Sequence, residues 1–167
     1  MNKKLEQKLF DAYPKIFAQK DLNVQQTAMC WGIQCGDGWY TLIDVLCEMI
    51  QNHVDHTKCA QVEATTVKEK FGQLRFYTHG GDDITQAFEY FALLMSINTC
   101  ELCGTTVGVK QTEGWIYTMC KPCLKNLKNK QKRGSLFYRV SWFFYTLQSK
   151  FFKFFKLLVT RMKSNER

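Results

Sequence analysis

Cys100-Glu101-Leu102-Cys103 and Cys120-Lys121-Pro122-Cys123, with sixteen residues between them, decide how this chain is read. Each CxxC places two thiolates on one tight turn. A hairpin between the turns brings the pairs together, and four sulfurs then close a tetrahedron around one ion. That is the four-cysteine zinc-ribbon pattern. The expectation is one structural Zn²⁺ per chain, held by Cys100, Cys103, Cys120 and Cys123. Four thiolates fill the shell and leave no position for a catalytic water. The ribbon hairpin is expected to use Val107-Gly108-Val109 and Trp115-Ile116-Tyr117, turning near Gly114.

Chemistry differs on the two sides of this pattern. Residues 124–167 hold 12 Lys and Arg against the single acid Glu166, while residues 1–123 hold 11 Lys and Arg against 14 acids. The net charge of +8 thus averages a mildly acidic body and a tail of +11. An apolar fraction of 46% can build a core and excludes disorder throughout. The polar start, Met1-Asn2-Lys3-Lys4-Leu5, lacks the apolar stretch of a signal peptide. The compartment is therefore read as reducing cytoplasm, and the CxxC pairs as metal ligands, not disulfides. Cys47 falls in an apolar helical stretch, as a small core residue would. Cys30 and Cys35 fit either burial or a second site, and Cys59 has no ligand pattern.

Before the ribbon, the sequence predicts an α+β body. A helix over 3–13 stops at Tyr13-Pro14. An irregular stretch runs to Gly36-Asp37-Gly38. Trp39, Leu42, Ile43, Leu46, Met49 and Ile50 then recur at helical spacing, which predicts a helix over 39–54 with Asp37 or a neighbour as its cap. His53 and His56 sit at its end, as surface residues or as ligands. Strands are expected over 61–67 and 73–79, with a hairpin turn at 68–72. A helix over 84–97 is expected to carry a capping box of Asp83 and Gln86, and Ile84, Ala87, Phe88, Phe91 and Met95 on one face. The organisation is then a body of helices on a small antiparallel sheet (1–98), a zinc ribbon (99–124) and a basic aromatic tail (125–167).

The tail opens with Lys125, Lys128, Lys130, Lys132 and Arg133. Leu136–Met162 is long enough to span a bilayer, but Arg139, Lys150, Lys153, Lys156 and Arg161 interrupt it at a cost of several kcal/mol for each central charge. On a helical wheel the lysines gather opposite Phe144, Phe151, Phe155, Leu158, Val159 and Met162, a basic amphipathic helix. Three roles fit: an interfacial helix on a membrane surface, a docking helix in a partner or in its own oligomer, and a helix packed on its own body.

On the strand over 73–79, alternation turns Leu74, Phe76 and Thr78 one way and Arg75, Tyr77 and His79 the other. The second set, with Lys68 and Lys70 at the adjoining turn, suits phosphodiester cleavage without a catalytic metal. A histidine moves a proton near neutral pH, and arginine or lysine stabilises the charge on a phosphorane-like transition state. Glu63 or Glu69 would serve as a carboxylate base. The candidate catalytic residues are Arg75, Tyr77, His79 and Lys70. An ordinary half-exposed strand carries the same alternation.

Four strings together resemble a set of small, mostly uncharacterised zinc-ribbon proteins encoded by phages and prophages. They are Tyr13-Pro14-Lys15-Ile16-Phe17, Cys35-Gly36-Asp37-Gly38-Trp39-Tyr40 with Leu42-Ile43-Asp44, Lys68-Glu69-Lys70-Phe71-Gly72 with Leu74-Arg75-Phe76-Tyr77, and Cys100-Glu101-Leu102-Cys103-Gly104 with the second CxxC. The resemblance covers about residues 10–123. The order of zinc finger then hydrophobic, basic C-terminus is also similar to the ring-activated zinc-finger RNase of bacterial anti-phage defence. That likeness implies a dormant RNase switched on when a ring-shaped phage protein assembly docks on zinc finger and tail. Beside it stand the expectations of a cytoplasmic protein, or one peripheral at the inner face of the membrane, that works as an oligomer or hetero-complex. The likeness carries no matched catalytic residue. A non-catalytic prophage regulator and a membrane-active protein are the alternatives.

Overall fold

A computed structural model of the chain describes residues 1–131. Two compact units divide it, Met1–Leu124 and Lys125–Arg167. Helix α1 (Lys3–Ala12) begins at Asn2, whose side-chain oxygen accepts from the backbone of Lys4 and Leu5, and it ends before Pro14 as expected. Strand β1 (Ile33–Gln34) was not foreseen; two residues are too few to show a period. Glu6 fixes its start. This carboxylate is buried, accepts from the Ile33 backbone at 2.7 Å and pairs with Lys3.

Helix α2 (Tyr40–His56) follows, with Ile43, Leu46, Cys47 and Ile50 buried. Asp37 does not cap it. Its carboxylate accepts from the Asn2 backbone at 2.7 Å and from the Asn2 amide at 2.8 Å, tying α1 to the turn before α2. Strands β2 (Glu63–Lys70) and β3 (Gln73–His79) pair antiparallel. β1 adds to β2 in parallel, so the sheet is mixed, not purely antiparallel. The β2–β3 connection is shorter than expected. Lys70 pairs with Gln73, which leaves only Phe71 and Gly72 in the turn, at φ 55° and 70°. Two positive-φ residues are the type I′ pattern that matches the strand twist. Thr65 bulges between Ala64 and Thr66, which lets Ala64 and Val67 both face inward.

Helix α3 (Asp83–Ile97) carries its capping box one residue earlier than predicted, on Asp82 and Thr85. Its packing differs more. Of the apolar face expected on this helix, Ile84, Phe91 and Met95 are exposed, while Thr85, Ala92 and Ser96 face the body. Small residues let α3 approach the sheet closely enough for Ser96 Oγ to accept from the Leu74 backbone at 2.9 Å and for Thr78 to donate to Glu89 at 2.7 Å. The core is a single cluster running from Leu9, Ile16 and Phe17 through Trp39, Ile43 and Ile50 to Val67, Leu74 and Phe76.

The ribbon strands are β4 (Val109–Gln111) and β5 (Thr118–Cys120), two or three residues later than predicted. Trp115 and Ile116 fall in the connecting loop, which Thr112 closes by bonding the Trp115 carbonyl and the Tyr117 amide. Residues 121–131 are helical. Pro122 fits there because a first-turn residue needs no backbone donor. The expected amphipathic helix over 136–162 lies outside the described residues.

Candidate metal centre and adjoining surface

Cys100 and Cys103 lie on the turn after α3, Cys120 at the end of β5 and Cys123 at the start of the following helix. One sulfur from each lies within 4.8 Å of the others. The Cys103–Cys120 separation is 3.7 Å. A tetrahedron with metal–sulfur bonds of ~2.3 Å has an edge of about 3.8 Å, so these sulfurs stand where metal ligands would stand. Burial disfavours a charged Cys100, but the backbone amides of Cys120, Cys103 and Leu102 aim at its sulfur and bring the thiol down to about 7. The four cysteines fit a metal ion, and the arrangement is closed.

The ribbon is held to the body at two sockets, and both are strings singled out in the sequence. In the first, the Gly36 amide donates to the Glu101 carboxylate at 2.9 Å and the Gly38 amide to the Glu101 carbonyl at 2.8 Å. Trp39 is fully buried and its indole N–H donates to the Thr99 carbonyl at 2.9 Å. In the second, the Gly72 carbonyl accepts from Thr118 Oγ1 and from the Gln111 amide, so the hairpin tip rests on the ribbon strands. Glu69 accepts from the Gly72 amide at 2.6 Å and fixes the tip. Trp39→Phe keeps one aromatic ring but leaves the Thr99 carbonyl unpaired and a cavity where the rest of the fully buried indole stood. It should lower stability by about 2–4 kcal/mol in denaturant titration.

The candidate catalytic row divides. Arg75, Tyr77 and His79 do project from the face of β3 opposite Leu74 and Phe76. Lys70 stands apart from that row. It faces Gln73, six residues from His79, or ~20 Å along the strand, so the two cannot serve one phosphate. Lys70 instead lies over the Phe71 ring, 5.3 Å from its centre. Arg75 donates to Gln73 at 2.8 Å. The proposed carboxylate bases are occupied, Glu69 by the turn and Glu63 by the Gln19 amide at 3.0 Å.

A cleft of about 400 Å³, unanticipated from sequence, lies between hairpin tip and ribbon loop, lined by Glu69, Lys70, Phe71, Gly114, Trp115 and Ile116. Phe71 is 63% exposed and Trp115 77% exposed. A bulky residue in the left-handed region is an outlier, since Asn or Gly serves a type I′ turn better. The Phe71-Gly72 pair is the available signal, hidden because the polar run of residues 68–70 before it reads as part of the turn and not as strand.

Among the described residues, no helix is long and apolar enough to cross a membrane. No family model, curated protein or solved structure matches this chain.

Proposed function

We propose that this protein is a zinc-stabilised RNA-directed effector of phage–host conflict, which takes single-stranded RNA at the cleft between hairpin tip and ribbon. The observation that carries the reading is Phe71, held exposed at positive φ beside Lys70 and across the cleft from exposed Trp115. Two aromatic faces flanking a cation are what sequence-tolerant base stacking and phosphate attraction need. Zinc is the ion proposed for the four cysteines, because a closed thiolate tetrahedron is its structural form. The phage setting rests on the resemblance. So does a trigger in which a phage protein assembly engages ribbon and tail.

Phe71→Asn separates function from folding. Asn suits the left-handed position, so the variant should melt higher. Binding of a fluorescein-labelled oligouridine should weaken about 10-fold or more, as expected when a stacked base worth ~1–3 kcal/mol is lost. Trp115→Ala should weaken binding similarly. Unchanged affinity in both variants would remove the cleft from the proposal.

Cleavage is the second reading, supported by the shared outward face of Arg75, Tyr77 and His79. Full-length protein incubated with RNA, with and without phage lysate, should yield fragments that the Arg75→Ala, His79→Ala pair abolishes. Intact RNA in every arm leaves a non-catalytic binding module.

A further inference from the structure

A second group of donors converges at the far end of α2. His53 lies in its last turns, Cys59 in the loop that follows and Asp82 at the N-cap of α3, and one ligand atom from each lies within 4.8 Å of the others. Asp82 is 23 residues beyond Cys59 and Cys59 six beyond His53, and the three meet because two connections fold tightly. Thr57 accepts from the Cys59 amide at 3.1 Å and donates to the His53 carbonyl at 2.8 Å, which turns Cys59 back toward the helix. Gly80 and Gly81, at φ 81° and 82°, carry β3 into Asp82. A Cβ on Gly80 would stand 2.1 Å from the Gln61 carbonyl oxygen, so only glycine lets β3 leave this close to the segment bearing Cys59.

The donors are also oriented. Asp82 Oδ1 accepts from the Ile84 amide at 3.1 Å and the Thr85 amide at 3.0 Å, which leaves Oδ2 at 2.8 Å from His53 Nε2. Phe88 sets its ring edge-on to the imidazole, with centres 6.2 Å apart, and supplies an apolar wall. Ligands fixed by backbone bonds and screened on one side are the support that metal sites use. An ion pair between His53 and Asp82 would need neither the thiol nor its turn.

We propose that His53 Nε2, Cys59 Sγ and Asp82 Oδ2 form a second metal site, taking zinc or a divalent ion of similar softness with one coordination position open. Imidazole, thiolate and carboxylate are the three donor types that zinc accepts, and three protein ligands plus water is its open form, in contrast to the closed four-cysteine centre. Such a position holds water or the oxygen of an anionic ligand.

The test is metal stoichiometry on the full chain, loaded with Zn²⁺ under reducing conditions, desalted and assayed by mass spectrometry. The wild type should hold about two ions, and Cys59→Ala and Asp82→Asn about one each. Asp82→Asn retains an oxygen for the helix cap. Co²⁺ titration of the wild type is independent of any variant's folding. A second component with weaker sulfur-to-cobalt absorption should appear after the first equivalent. Saturation of the wild type at one equivalent overturns the site, and so does retention of two ions in both folded variants.

Discussion

Chelation of the metal from the four-cysteine centre is expected to abolish cooperative unfolding of the whole Met1–Leu124 unit, not of the ribbon alone. Apparent zinc affinities of structural sites are about 10–16 kcal/mol at neutral pH, as large as the ~5–15 kcal/mol by which a domain is stable. Without the ion, four sulfurs as close as the 3.7 Å of Cys103 and Cys120 have nothing to bind them together. The turn carrying Cys100 and Cys103 then loses its shape. That turn supplies the Glu101 groups that receive the Gly36 and Gly38 amides, and the Thr99 carbonyl that receives the Trp39 indole. Trp39 is fully buried and belongs to the same cluster as Ile43 and Ile50, so loss at the centre reaches the core through one side chain. Excess EDTA, or Cys100→Ser, should lower the melting temperature by tens of degrees or flatten the transition followed by circular dichroism. In a variant that keeps Trp39 as its single tryptophan, with Trp31, Trp115 and Trp142 replaced by Phe, emission should shift to the red in step. A melt indifferent to chelator, with Trp39 still shielded, would show that the body folds without its ribbon.

The sequence was most legible where a residue's role is set by its near neighbours. Periodicity located α2 because Ile43, Leu46 and Ile50 all turn to one core, and alternation located β3 because its Leu74 and Phe76 face is buried and its Tyr77 face is not. The four clustered cysteines were readable because a CxxC turn is a local shape. Where long-range contacts decided the outcome, local reading failed. Asp37 has the right chemistry for a cap, but Asn2, thirty-five residues earlier, claims its carboxylate. The apolar stripe on α3 was correctly periodic, yet helix–sheet spacing favours Ala92 and Ser96 inside and leaves Phe91 out. The second donor group escaped because His53, Cys59 and Asp82 come from three separate segments. The strings that carried the resemblance have a different meaning in three dimensions. The Gly36–Trp39 and Glu69–Gly72 segments are the sockets that hold the ribbon, so much of what these strings encode is how this unit is built.

Gly38→Ala is the sharpest test of the first socket, because the glycine is needed there for space and not for conformation. Its backbone is not in the left-handed region, so an alanine could adopt the same dihedral angles. An added Cβ, however, would stand 2.2 Å from the Cys100 carbonyl oxygen, 2.4 Å from the Gly104 nitrogen and 2.7 Å from the Cys103 nitrogen. All three are backbone atoms of the Cys100–Gly104 turn, and none can swing aside as a side-chain end would. The turn must back away as a unit, straining the hydrogen bond from the Gly38 amide to the Glu101 carbonyl and displacing two of the four clustered cysteines. The expected loss is about 3 kcal/mol of stability, the upper end for overpacking. Zinc affinity should fall about 100-fold if a similar cost is borne by the metal-bound state. Gly114→Ala is the matched control. Gly114 sits at φ 73° with nothing within 4 Å of an added Cβ, so its substitution carries only the left-handed backbone penalty of ~1 kcal/mol. Denaturant titration and competition with a chromophoric chelator should therefore rank Gly38→Ala well below Gly114→Ala on both measures. If the two variants are equal, or the order is reversed, close approach of the metal-binding turn to Gly38 is not what fastens the ribbon to the body.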